Sequence, residues 1–109
     1  MVLISKMAVP KGYIGLTVFP FIFLKYKHLK NDCALMNHER IHLKQQLELL
    51  ILPFFLLYSF EFIFRLYQYK HWKTAYKNIS FEREAYYNEK NLEYLETRSF
   101  WAFLSYYNA

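Results

Sequence analysis

The chain carries two kinds of apolar run, short and β-branched at the front, long and helix-compatible behind. Val2 to Ile4 and Gly12 to Leu24 (GYIGLTVFPFIFL) are rich in β-branched and aromatic residues and punctuated by Gly12, Gly15 and Pro20. This predicts short extended segments, with Pro20 at an edge strand or bulge. Lys25 to Asn31 (KYKHLKN) is a polar connector, and Asp32 is the expected N-cap of a helix from about Cys33 to Ile51. Pro53 is expected to break or kink it, with a second helix through Phe54 to Lys70. Ser80 is expected to cap a third helix, with Glu82 and Glu84 in its first turn and an apolar stripe at Phe81, Ala85, Leu92 and Leu95. Ser99 to Tyr107 (SFWAFLSYY) predicts a last short helix. Together these predict an α+β fold, short N-terminal antiparallel strands packed on three to four helices.

Length and composition narrow the picture. A chain of 109 residues suits a single domain, residues 1–109, with one core and no room for a separate substrate domain. Disorder is excluded by a hydrophobic content of 55% with only 2 glycines. The single cysteine, Cys33, excludes an internal disulfide and a cysteine-based zinc ribbon, and its expected role is small apolar filler. Glu61 lies in an apolar stretch and is expected to pair with Arg65 one turn on. The Phe and Tyr stripe from Phe54 to Tyr69 is expected to be core.

The net charge of +5 is unevenly spread. Arg65 to Lys77 (RLYQYKHWKTAYK) holds Arg65, Lys70, Lys73 and Lys77 with no acid, a pattern of a membrane interface or of a solvated basic helix end. Just before it, the uninterrupted apolar run Leu49 to Phe60 is 12 residues long. That is below the roughly 17 to 25 needed to span a bilayer, which favours a buried core helix or an interfacial segment. Met1 to Ile4 is too short for a secretory signal, so a cytoplasmic location is expected, with membrane-surface association as the alternative. So many aromatics in a small chain also make a homo-oligomer plausible.

The chemistry concentrates in Asn37-His38-Glu39-Arg40-Ile41-His42. Residues i and i+4 share a helix face, so His38 and His42 can offer two imidazoles to one metal ion. Glu39 is then placed to act as general base on a water, the logic of an HExxH zinc hydrolase. Shuffling a chain of this composition would produce the spacing roughly once in a hundred sequences. A catalytic zinc takes three protein ligands, and the acids opening the third helix, Glu82 and Glu84, are the best source of the third. Two residues apart, they diverge by about 200° round the helix, so one ion cannot easily take both.

HERIH followed by FEREAY resembles the glutamate-ligand (gluzincin) zinc metallopeptidases, especially the CAAX prenyl endopeptidase group, whose third ligand lies in a Glu-x-x-Ala-Asp helix. Glu82 with Ala85 fits that frame. The thermolysin-like frame instead matches Glu84 with Asn88. The Asp of each pattern is replaced here, by Tyr86 or Asn88, and with it the usual support for a ligand histidine. The likeness covers His38 to Gln46 and Ser80 to Asn88. Short uncharacterised bacterial proteins with NHERIH and FEREAY blocks are similar too, a likeness that supplies no reaction. The resemblance implies a minimal zincin-like domain with one zinc ion on His38, His42 and Glu82 (alternatively Glu84), hydrolysing a peptide or protein substrate with Glu39 as general base.

Other expectations follow from single residues. Tyr86, Tyr87 or a neighbouring histidine is a candidate oxyanion donor. The Gly15 to Phe23 strand offers an edge to an extended peptide, and Gln45 and Gln46 are available to satisfy backbone groups. Three alternatives compete with the peptidase. His38 and His42 could lie on a polar surface, the metal could be noncatalytic, or the basic aromatic segment could bind a membrane surface or nucleic acid. Nucleic acid ranks last because no recognised motif accompanies it.

Overall fold

The computed structural model describes residues 1–107. The chain is α+β: three short strands, β1 (Val2–Ile4), β2 (Gly15–Val18) and β3 (Phe21–Leu24), precede five helices. The helices are α1 (Cys33–Leu49), α2 (Ile51–Tyr69), α3 (Trp72–Lys77), α4 (Ser80–Asn88) and α5 (Tyr94–Thr97). Two 3₁₀ segments, Lys27–Asn31 and Ala102–Tyr106, complete them.

β2 and β3 form the expected antiparallel hairpin, with Phe19-Pro20 in its turn. β1 joins the far side of β3 in parallel, making a mixed sheet of order β1-β3-β2. β2 is therefore a sheet edge. In its register with β3, the backbone groups of Gly15 and Thr17 face away from the partner strand.

Asp32 caps α1 as its sequence predicts, accepting from Leu35 N–H at 3.1 Å. The break between α1 and α2 falls at Leu50, with φ 62°, and not at Pro53. Pro53 sits in the first turn of α2, where no intrahelical N–H is required of it. The third long helix begins at Ser80, yet Ser80 is not its own cap. Glu61 of α2 supplies the cap, accepting from Ser80 N–H at 2.5 Å and from its hydroxyl at 2.6 Å. Glu61 also lies 3.6 Å from Arg65, the pairing read from the sequence.

α4 stops at Asn88, short of the Leu92 and Leu95 positions of the expected stripe. Asn37 ends it: its amide N–H₂ donates to the carbonyls of Asn88, Glu89 and Asn91 at 2.9 to 3.1 Å. The first two are carbonyls at the helix C-terminus, where no further helical turn pairs them, and the third lies in the turn that follows. Cys33 is exposed and so is not core filler.

Two apolar clusters hold the fold. One joins the sheet to α1 through Ile22, Leu24, Leu29 and Met36. The other joins α2 to α4 and the final 3₁₀ turn through Phe54, Ile79, Phe81 and Phe103. The aromatic stripe of α2 is only partly core. Phe54 is buried, but Leu56, Phe60, Ile63 and Tyr67 face outward. α1 runs between the two clusters and presents to them a buried face that is largely polar.

Candidate metal centre

His38, Glu39, His42, Gln45 and Gln46 are all buried on α1, which excludes the polar-surface reading of the motif. Burying five polar side chains on one helix is unfavourable unless each finds partners. Each does. Among the described residues, the only buried side-chain polar atoms without a partner are Glu48 Oε1 and Arg65 Nε.

The two histidines and Glu82 of α4 converge. His38 Nε2 and His42 Nε2 are each 3.1 Å from Glu82 Oε1 and 3.2 Å from one another. The same three residues offer ligand atoms within 4.8 Å of one another, a group able to hold a metal ion. The ring orientations follow from the opposite nitrogens. His38 Nδ1–H donates to the Glu89 carboxylate at 2.8 Å, and His42 Nδ1–H donates to Gln45 Oε1 at 2.8 Å. The Gln45 amide is fixed in turn, its N–H₂ donating to Phe81 O at 3.1 Å and Glu84 Oε1 at 2.9 Å. With both Nδ1 atoms committed as donors, the two Nε2 atoms face the common centre; without a metal they share protons with the Glu82 carboxylate, and on losing those protons they present the nitrogens that a metal takes.

Glu89 and Gln45 thus provide the support that the missing Asp of the motif frames would have given. The residues occupying that Asp's positions do other work. Tyr86 packs its ring edge-on against His38, with centroids 4.5 Å apart. Asn88 donates to Glu84 O and to the Tyr106 hydroxyl.

Glu84, the alternative ligand, is turned away from the histidines. It is fully buried against Arg98, accepts from Tyr94 Oη at 2.7 Å, and takes the Gln45 amide. Arg98 also bonds Glu48 at 2.6 Å. The partner of this acid is therefore Arg98, which lies just beyond α5. Arg83 instead holds the C-terminal segment, donating to Tyr106 O at 3.0 Å.

Electrostatics binds the cluster together. Burial pulls the His42 pKa down, but the charge and hydrogen bond of Glu82, with smaller help from Glu39 and Gln45, outweigh it and raise it to about 9. Burial pushes Glu82 up, and the neighbouring imidazoles of His42 and His38 more than reverse this, holding it well below the usual carboxylate range. Glu82 is thus an anion whose burial demands cationic partners. Tyr58 Oη donates to its second oxygen at 2.7 Å.

Glu39 faces the same space from the other side. Thr17 Oγ1 on β2 donates to Glu39 Oε1 at 2.5 Å. Gly15, two residues earlier, passes so close that a Cβ there would lie 2.8 Å from Glu39 Oε2. Gln46 pins the strand, donating to Thr17 O at 2.7 Å and accepting from Phe19 N–H at 2.7 Å.

Two cavities flank this centre. One, of about 240 Å³, is lined by Glu39, His42 and Glu82 and walled by Phe54, Phe55 and Phe62. The other, of about 360 Å³, is lined by His38 and Glu39 with Trp72, Lys73 and Lys77. Tyr13, Gly15, Glu39 and Tyr76 border both, so the two form a groove interrupted at Glu39. Of the oxyanion donors expected from sequence, Tyr87 is 80% exposed and borders neither cavity. Tyr86 lines the second. Tyr76, from the basic aromatic segment, is one of two phenols common to both, with Tyr13. Burial first, then the Glu82 charge, raises its pKa far above that of a free phenol, so its hydroxyl remains a donor at neutral pH.

No family model, curated protein or solved structure matches this chain.

Proposed function

We propose that the chain is a zinc-dependent metallopeptidase of the HExxH type, with His38, His42 and Glu82 as ligands and Glu39 as general base. The observation that carries this reading is the convergence of the His38, His42 and Glu82 donor atoms beside a carboxylate held by Thr17 and bordered by a groove. The donor set fits zinc: two imidazole nitrogens, neutral once the metal displaces their protons, and one carboxylate oxygen make three protein ligands and leave a coordination position open. When bound, zinc supplies Lewis-acid polarisation of a carbonyl and acidifies water.

The chain's own residues supply the rest. Glu39 accepts a proton from the attacking water as its oxygen bonds to the carbonyl carbon. It returns that proton to the amide nitrogen as the carbon–nitrogen bond breaks. Tyr76, which lines both cavities, is the candidate donor to the developing oxyanion. The open edge of β2 beside Glu39, where the Gly15 backbone groups face outward, suits an extended peptide added as a further strand. The phenylalanine-walled cavity favours an apolar side chain on one side of the cut bond.

Elemental analysis of the purified protein, followed by a peptide-library digest, tests the reading. About one zinc per chain with cleavage supports it. Zinc without cleavage favours the noncatalytic alternative, and absence of zinc after supplementation sinks both.

Gly15→Ala probes the contact between strand and base. The added methyl group displaces the Glu39 carboxylate, and a shift of about 1 Å costs on the order of 10²-fold in rate. Zinc content is expected to stay unchanged, because Glu39 is not a ligand. A variant with wild-type kcat would show that Glu39 needs no such placement.

A further inference from the structure

We infer that the outer face of α2, with the basic segment that follows it, docks the protein on the surface of an anionic lipid bilayer. This inference stands apart from the hydrolase reading and does not depend on it.

The argument begins with what α2 spends its charges on. Between Ile51 and Tyr69 the only charged residues are Glu61 and Arg65, and both are buried. Glu61 caps α4. Arg65 reaches Gln68 and the carbonyl of Tyr107. With Phe54 and Tyr58 they form a stripe at helical spacing that faces the protein. The opposite face is left without a charge. Leu52 is 71% exposed, Leu56 53%, Phe60 68%, Ile63 63% and Tyr67 81%. A helix lying on its own fold normally turns polar residues outward. Here the outward face is as apolar as the inward one, and contiguous exposure of this kind marks a binding surface.

Charge identifies the occupant. Directly after α2 come Lys70, Lys73 and Lys77, all exposed, with no acid between Arg65 and Lys77. Trp72 is partly exposed in the same segment, and the Lys73 ammonium lies 5.9 Å from the centre of its ring. An apolar helix face ending in lysines and an amphipathic aromatic matches the layering of a bilayer surface: acyl chains, then headgroups, then anionic charge. A second copy of the chain would bring the same positive charge and would not neutralise it. α2 has the length and apolar composition of a membrane span. Yet Glu61 and Arg65 tie one whole side of it to α4 and the C-terminal segment, so it lies along the lipid rather than through it.

The test is flotation of the full chain with vesicles of phosphatidylcholine, with and without phosphatidylserine, with fluorescence of a Trp101→Phe variant, in which Trp72 is the sole tryptophan, read in parallel. The wild type is expected to float with the mixed vesicles, and the Trp72 emission to shift to the blue. Preference over neutral vesicles should be about fivefold per engaged lysine, on the order of 100-fold for three, and should fall as salt is raised. Lys70→Glu with Lys73→Glu should remove most of that preference. Phe60→Asp with Ile63→Asp should abolish flotation while helical circular dichroism is kept, since both side chains are exposed. Should that pair unfold the chain, Leu56→Asp with Tyr67→Asp tests the same face. A wild type that stays at the bottom of the gradient overturns the inference, as does a folded aspartate variant that floats like the wild type. A stable dimer in lipid-free solution that either aspartate pair splits would assign the face to a second copy instead.

Discussion

Glu39→Gln is expected to reduce peptide hydrolysis by about 10²- to 10⁴-fold, the usual contribution of a positioned general base, while zinc content stays at the wild-type level. The amide keeps the shape of the carboxylate and can still accept the hydrogen bond that Thr17 Oγ1 now gives at 2.5 Å. It cannot take a proton from water. The fold should not suffer, because the substitution removes a buried negative charge whose hydrogen-bond partner is a neutral hydroxyl. Comparing kcat with KM separates this from a binding defect: the loss should fall on kcat. Unchanged kcat in Glu39→Gln would remove Glu39 from the mechanism.

Alanine substitution of the four candidate ligand residues should divide them into two classes. His38→Ala, His42→Ala and Glu82→Ala each remove one of three converging donors, and stoichiometric zinc is expected to be lost in all three. Glu84→Ala should keep zinc and lose stability. Arg98, whose side chain is only 1% exposed, would be left with Glu48 as its remaining carboxylate partner. Breaking a buried ion pair from one side costs about 3 to 5 kcal/mol. Metal analysis and thermal melting on the same four proteins read both effects. Zinc loss in Glu84→Ala, with zinc kept in Glu82→Ala, would reverse the ligand assignment. Assays of Glu84→Ala belong well below its melting temperature, so that unfolding is not mistaken for loss of ligand.

The elements that sequence pattern anticipates are those governed by local rules. Asp32 as an N-cap, the Glu61 and Arg65 pair, and the shared face of His38 and His42 each depend on spacings of three or four residues. A one-dimensional reading captures such spacings. What escapes is everything set by contacts between distant segments. Thr17 and Glu39 are 22 residues apart and Asn37 and Asn91 are 54 apart. Nothing at either end of such a pair marks its partner. The same reason explains the misplaced end of α4: Leu92 and Leu95 keep the helical period, but Asn37 takes the terminal carbonyls and the chain turns. Glu89 could have been suspected, since an acid just past the ligand helix is within reach of a histidine, but many exposed acids satisfy that description. For α2, composition alone implies burial. Its outward apolar face is visible only once Glu61 and Arg65 are seen to point inward.

The cap that Glu61 places on α4 makes the centre indivisible. A miniature built from α1 and α4 alone would carry His38, Glu39, His42 and Glu82, yet it would lack the carboxylate that starts α4 and the Tyr58 hydroxyl that steadies Glu82. Grafting the site onto another scaffold therefore means transplanting part of α2 as well.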